Sequence, residues 1–296
     1  MTNEEILVEY KNELKRTGKS QNTVTGYLNN ISQFLSWIDQ SNGEINLERD
    51  GITATDVRLY RSYLDTSKKY KLSAINTKLA AIQNFCNFLS TTYNKEAIKV
   101  EKKKGHISPK VEVLSKQELY QFLKYVDINA NLLHKTIVYT ILNTGMRESE
   151  VADLELNDIT NLDSTKCSRI IIRNGKGDKY REVNISGEYK SLLREYLSHR
   201  PTSSSNKVFI GTRGAISANG IYKIVSRLGQ QKGLRVYPHM LRHQYLTTLA
   251  KNCTTLEDMK ALQEIAGHSS IETTMKFYVH SSEEAKEKIT QNISYF

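Results

Sequence analysis

Prolines are scarce, three in 296 residues, so long helices meet few interruptions. Cysteines are equally few. Cys86, Cys167 and Cys253 lie far apart without a C-x-x-C spacing, which argues against a disulfide framework and a zinc site. Cys86 and Cys253 fall in helical patterns and read as core or near-core residues. The residues Met1, Thr2, Asn3, Glu4 and Glu5 lack the basic stretch and apolar run of a signal peptide. No run of about 18 apolar residues occurs, which excludes an ordinary transmembrane helix. A reduced, cytoplasmic setting without a membrane partner is the expectation, and neither a metal nor a cofactor is expected.

What is present in excess is positive charge. Lys and Arg number 42 against 32 Asp and Glu, a net charge of +10 and a pI near 9.3. A basic surface favours polyanions, DNA or RNA above all, through counterion release. Residues 1–105 carry 16 basic against 12 acidic residues, and the remainder 26 against 20. Both parts share the excess, as expected if both touch one long ligand, although many basic proteins bind no nucleic acid. With 39% hydrophobic and 25% charged residues, the composition is that of a globular protein.

The first hundred residues read as helices only. Ile6, Tyr10 and Leu14 recur at helical spacing, as do Tyr27, Ile31, Phe34, Leu35 and Ile38. Thr53 with Asp56 three residues on predicts a capping box that opens a helix through Val57, Tyr60 and Leu64. A fourth helix follows Ser73, with Leu79, Ile82, Cys86 and Leu89 on one face. Four short helices make a bundle too plain in side-chain chemistry for catalysis. The polar stretch from Glu101 to Lys110, with Gly105 and Pro109, then breaks the periodicity and reads as a linker. It is either a solvated tether or a strap along phosphates, in which Lys102, Lys103 and Lys104 would be contacts together with Lys78 of the fourth helix.

A second domain opens with Ser115 and Glu118, another capping-box spacing, and continues in helical patterns through Leu119, Phe122, Leu123 and Val126, then Ile137 to Leu142. Ser168 to Arg173 is β-branched, Asn174 to Asp178 is turn-like, and Tyr180 to Ile185 is strand-like again, so a β-hairpin is expected. From Ile221 onward the chain returns to helices, and no internal repeat is evident. The expected boundaries are a helical DNA-binding domain over 1–100, a linker over 101–113, and a second domain over 114–296 that ends in a tail helix.

Chemistry concentrates in four places of that second domain. In Pro238-His239-Met240-Leu241-Arg242-His243, proline suits the first helical turn and His239, Arg242 and His243 share one face. A guanidinium beside an imidazole suits a phosphate, and a structural ion pair is the plainer reading. In Thr144-Gly145-Met146-Arg147-Glu148-Ser149-Glu150, Gly145 allows a tight turn and Arg147 opens the next helix. A cation there opposes the helix dipole unless an anion is bound; Glu150 is given a supporting role. Gly175-Lys176-Gly177 lets an ammonium approach a ligand on a mobile turn, and as an isolated pattern is an ordinary solvated turn. The last stretch runs Ala266-Gly267-His268-Ser269 to Lys276-Phe277-Tyr278-Val279-His280, with Ser269 and Glu272 spaced as a capping box. Among 17 tyrosines, any single one is structural by default.

Taken together and in order, these pieces resemble the tyrosine recombinase (phage integrase) family, whose signature runs Arg, Lys, His-x-x-Arg, Gly-His, Tyr. The matching residues are Arg147 in TGMRESEV, Lys176 in GKGDKYREV, His239 and Arg242 in PHMLRH, His268 in AGHSSIETT, and Tyr278 in MKFYVH. The resemblance spans 114–280; the helices before it resemble the family's core-binding domain more loosely. Two features depart from the pattern. A few extra residues around Asn252–Leu256 are expected as a loop. Tyr278 lies ten residues beyond His268, where many members have nine, which would put Phe277 in the nucleophile's slot; phenylalanine cannot attack phosphorus.

The resemblance implies a mainly α fold with a small β-hairpin, in which a SAM-like helical bundle and a catalytic domain close as a C-shaped clamp on DNA. It implies that Tyr278 attacks the scissile phosphate while His239 takes the phenol proton. Arg147 and Arg242 then clamp the non-bridging oxygens, Lys176 protonates the leaving 5′ oxygen and His268 positions the phosphate, with Glu150 and His243 in support. A chain that is monomeric or weakly dimeric when free would assemble as a homotetramer on double-stranded DNA with inverted-repeat core sites, exchanging strands through a Holliday junction. The amphipathic segment after Ser282 would dock on a neighbouring protomer or on its own domain. Starting directly at the core-binding domain favours simple sites, and so integration, excision or resolution of a mobile element or replicon dimer. The alternatives are relaxation of DNA in the manner of a type IB topoisomerase, and a catalytically silent DNA-binding regulator.

Overall fold

The computed structural model describes residues 1–103, 112–163, 167–173, 180–185, 187–267 and 274. Lys104 and the middle of the linker, the turn with Lys176, His268, Tyr278 and the tail after Ser282 lie outside the described residues. The chain divides into two compact units, Met1–Pro109 and Lys110–Phe296.

The first unit is built from α1 (Asn3–Arg16), α2 (Gln21–Asn42), α3 (Ala54–Thr66) and α4 (Leu72–Tyr93). Local sequence sets the starts. Thr2 and Glu5 form a capping box on α1, and Thr53 and Asp56 form the expected one on α3. Ile6, Tyr10 and Leu14 are buried along one stripe of α1, and Tyr10 meets Phe85 edge-on at 4.8 Å. Four short helices are expected here, yet α2 and α4 run for 22 residues each. Their apolar stripes continue without a break, through Ile31, Phe34 and Ile38 on α2 and Ile75, Ile82 and Leu89 on α4. A helix with an unbroken buried face keeps gaining packing energy as it lengthens.

Lys78 corrects the expectation of a free phosphate contact. It is buried, and its Nζ donates to Asn30 Oδ1 at 3.2 Å and Gln33 Oε1 at 2.5 Å, so the ammonium bridges α4 to α2. Lys102 is exposed, whereas Lys103 pairs with Asp65 at 2.5 Å. The Lys103 backbone is also stitched to the Asn76 amide by bonds of 2.8 and 3.1 Å, which fixes the start of the linker on α4.

The second unit begins with α5 (Lys116–Asn129), capped by Ser115 and Glu118 as expected, followed by α6 (Leu132–Thr144) and α7 (Glu148–Asp153). Three antiparallel strands follow in the order β1 (Ile159–Thr160), β2 (Ser168–Ile172) and β3 (Arg181–Ile185). Then come α8 (Gly187–Ser198), the short pair β4 (Ile210–Gly211) and β5 (Gly214–Ala215), α9 (Ala218–Lys232), α10 (Pro238–Ala250) and α11 (Leu256–Ala266). The fold is mostly helical with small antiparallel sheets. The expected hairpin is β2–β3, in which Ile170 faces Val183 and Ile172 faces Arg181. Helix α8 and the strands β1, β4 and β5 are absent from the sequence-based expectation.

Helix α6 runs through the middle of this unit and packs on α7, α8, α9 and α10. Ile137, Val138 and Ile141 are fully buried, and so are Thr136, Thr140 and Thr144. Each threonine hydroxyl donates to the carbonyl four residues earlier, at 2.7, 2.8 and 2.6 Å, which lets a polar side chain enter a dry core without an unmet hydrogen bond. Helices α10 and α11 are joined by residues 251–255, the loop expected near Asn252. Among the described residues no helix is long and apolar enough to cross a membrane.

Candidate active site

Three chain turns deliver the site. The first is the end of α6, where Gly145 caps the helix with φ +62°, a left-handed conformation that glycine adopts without strain. Space enforces the same choice, since a Cβ on Gly145 would come within 2.4 Å of the Tyr245 ring. Two residues later Arg147 stands at the N-cap of α7. Its backbone N–H donates to Glu150 Oε2 at 2.8 Å and its Nη1 to Glu150 Oε1 at 2.7 Å. Glu150 therefore serves the helix dipole and the arginine at once, which resolves the oddity of a cation at a helix start.

The second turn is the start of α10. Pro238 occupies its first turn, after Tyr237 in extended conformation. His239 stays accessible to solvent, and its ring lies 4.2 Å from that of His243 one turn on. Leu241 and Leu246 are buried in the core. Arg242 is buried as well, at 1% exposure. Its Nη1 donates to the carbonyl of Gly145 and its Nη2 to the carbonyl of Ala266. One guanidinium thus ties the end of α6 to the end of α11, the third turn. There Gly267 takes φ +60° as the C-cap, and its carbonyl accepts from Arg147 Nη2 at 3.4 Å.

Electrostatics follows from this convergence. Burial and the neighbouring Arg147 push the Arg242 guanidinium down to about 9, so it remains charged at neutral pH. Partial desolvation of the ring and the Arg242 charge hold the His239 imidazole below its ordinary value, although the residue as a whole stays accessible. Burial and His239 bring His243 down to about 4, against a hydrogen bond to the Glu112 backbone that favours its charged form. Both shifts favour the neutral imidazole at pH 7. Burial alone would raise the Glu150 carboxyl, but bonds and charge from Arg181 and Arg147 outweigh it and hold the carboxyl below its ordinary value. Two arginines held together beside a neutral imidazole form a site in which a bound anion relieves like-charge repulsion.

The structure brings Arg147, Arg242, His239, His243 and Glu150 together, whereas Lys78, Lys102 and Lys103 belong to the other unit. The sequence reading missed Arg181. It opens β3 on the same inward face as Val183 and Ile185, and all three are buried. Its Nη1 and Nη2 donate to Glu150 Oε1 and Oε2 at 3.0 and 2.6 Å. The available signal was the alternation itself, which puts an arginine where the pleat demands a core residue.

Residues 112–285 match the phage integrase family and residues 6–96 its N-terminal SAM-like domain. The chain is 30% identical to the tyrosine recombinase XerC of Lactobacillus delbrueckii subsp. bulgaricus, over 95% of each chain. It is 26% identical to the tyrosine recombinase XerA of Pyrococcus horikoshii, over 98% of this chain and 94% of that one. The fold is similar to that of the XerH site-specific recombinase bound to a palindromic difH substrate. That match has a TM-score of 0.73 and 22% identity, over 95% of this chain and 84% of that one.

Proposed function

This chain belongs to the phage integrase family and is a tyrosine site-specific recombinase, and from that premise we propose how its residues divide the work of cutting and rejoining DNA. The Tyr278 oxygen attacks the scissile phosphorus and displaces the 5′ oxygen. A 3′-phosphotyrosine bond forms as the P–O5′ bond breaks. The phenol, with an ordinary pKa of about 10, must lose its proton during attack, and a neutral His239 is suited to accept it. Lys176 gives the departing 5′ oxygen its proton. Arg147 and Arg242 neutralise the non-bridging oxygens as charge builds, and His268 holds the phosphate by a hydrogen bond.

The phosphotyrosine conserves the energy of the broken bond, so a 5′-hydroxyl from another duplex reverses the step without ATP. Exchange in pairs, through a Holliday junction held by a homotetramer on inverted repeats, completes recombination in the cytoplasm. Lys102, Lys103 and Lys104 lie along the DNA phosphates as the chain passes between its two units. The observation that carries this reading is the meeting of Arg147, Arg242 and His239 at three chain turns, with Glu150 buried behind Arg147.

The test is a nicked duplex bearing the recombination site, which lets the cleaved fragment diffuse away and traps the covalent adduct. The wild-type chain should accumulate adduct and Tyr278→Phe should form none. Tight binding of that duplex by the wild type with no adduct would overturn the reading. Relaxation of a plasmid that lacks the site would point instead to a topoisomerase.

A further inference from the structure

Glu150 is gripped from two sides. Its Oε1 accepts from Arg147 Nη1 at 2.7 Å and from Arg181 Nη1 at 3.0 Å. Its Oε2 accepts from the Arg147 backbone at 2.8 Å and from Arg181 Nη2 at 2.6 Å. Each oxygen therefore makes one bond to each arginine. The Glu150 and Arg181 side chains are 2% and 5% exposed, whereas Arg147 keeps 22%. The order is a buried fork, a buried carboxylate, and a guanidinium that reaches the surface of the site. Arg181 also abuts the third turn, because a Cβ on Gly267 would lie 3.0 Å from its Nη1, and Gly267 is the residue whose carbonyl receives Arg147 Nη2.

We propose that Arg181 is a positioning residue for strand cleavage, acting through Glu150 to fix the plane in which Arg147 presents its guanidinium to the scissile phosphate. The inference rests on the recombinase reading above. Arg147 and Glu150 alone make a pair three residues apart on a single turn, in which both carboxylate oxygens are bonded to Arg147 itself and the two side chains can shift together. Two parallel bonds from a planar fork on another element tie the carboxylate to the hairpin. Because Arg181 is anchored in the hairpin by its strand register opposite Ile172, the plane of Arg147 is set by the sheet as well as by its own helix. A lysine at 181 keeps the charge and loses the fork.

The experiment measures adduct formation in a single turnover at saturating protein. The substrates are two nicked duplexes, one with a phosphate and one with a methylphosphonate at the cleavage point. The methylphosphonate diastereomer used is the one on which Arg147→Ala loses least, since it lacks the charged oxygen that Arg147 serves. Arg181→Lys should cleave the phosphate duplex about 10- to 100-fold more slowly than wild type, the scale expected of a misplaced catalytic group. Its affinity for uncleaved DNA should stay within about threefold, because affinity rests on many phosphate contacts. On the methylphosphonate duplex the loss relative to wild type should shrink to about threefold or less, because the charge that Arg147 must meet is gone.

An equal loss on both duplexes, or no loss on the phosphate, overturns the proposal. If Arg181→Lys does not fold, the pair Glu150→Gln with Arg181→Met removes both buried charges and is read in the same way. It should cleave the phosphate duplex no faster than Glu150→Gln alone, and a further loss on adding Arg181→Met that persists on the methylphosphonate overturns the idea. Absence of adduct from the wild-type chain would instead overturn the recombinase reading.

Discussion

Glu150→Gln is the substitution whose cost follows most directly from the structure. It keeps the size and one acceptor oxygen of the side chain and removes its charge. Arg181, 5% exposed, is then left as a buried guanidinium without its counter-ion. Breaking a buried pair from one side costs about 3–5 kcal/mol, most of it the penalty of the stranded charge. For a unit of this size each kcal/mol lowers the melting temperature by about 2–4 °C, so the variant should melt roughly 6–20 °C below the wild type at pH 7. The sign of the pH dependence is also fixed. The Glu150 carboxyl is held below its ordinary value of 4.5 by Arg181 and Arg147, against burial. Its stabilisation is complete above that ordinary value and is lost as pH falls through the lower value of the folded protein. Protonated Glu150 resembles glutamine, so the gap between the two melting curves should close in acid. Thermal melts followed by circular dichroism from pH 7 downward read both effects. A gap under about 1 kcal/mol at pH 7, the size of a surface ion pair, or one that widens in acid, would refute the reasoning.

Three further outcomes are expected. Gly145→Ala should destabilise by about 2–4 kcal/mol in denaturant titration, from left-handed strain and overlap with the Tyr245 ring; an unchanged midpoint would contradict both terms. Because partial burial and Arg242 hold His239 below its ordinary 6.5, the adduct rate should rise with pH through a midpoint below that ordinary value. A midpoint above 7 would remove His239 as the base. Lys78→Met should leave the salt dependence of DNA binding unchanged, since the ammonium is already bonded to Asn30 and Gln33. A slope smaller by about one would mean that Lys78 contacts a phosphate.

Much of the architecture was written locally. The capping boxes at Thr53 and Ser115, the apolar stripes of α1 and α4, the hairpin between Ser168 and Ile185 and the glycine turn before Arg147 all depend on residues within a few positions of one another. The two-residue strands β1, β4 and β5 could not be read in that way. Strands so short carry almost no periodic signal, and they exist because a partner already stands beside them. The length of α2 and α4 was likewise set by what each helix packs against.

The candidate site divides along the same line. The resemblance of the ordered motifs to the tyrosine recombinase family singled out Arg147, His239 and Arg242 as candidates, because each stands in a recognisable local context. Tertiary structure decided what holds them. Arg242 is clamped between carbonyls that lie 97 residues before it and 24 after it. Glu150 is shared with Arg181, which is 31 residues away and on another element, and Lys78 is turned inward by amides 45 and 48 residues earlier. Helical periodicity reports which face of an element meets the core. Which charge waits on the other side of that core is settled only when distant segments pack, because an ion pair between elements leaves no spacing in the chain.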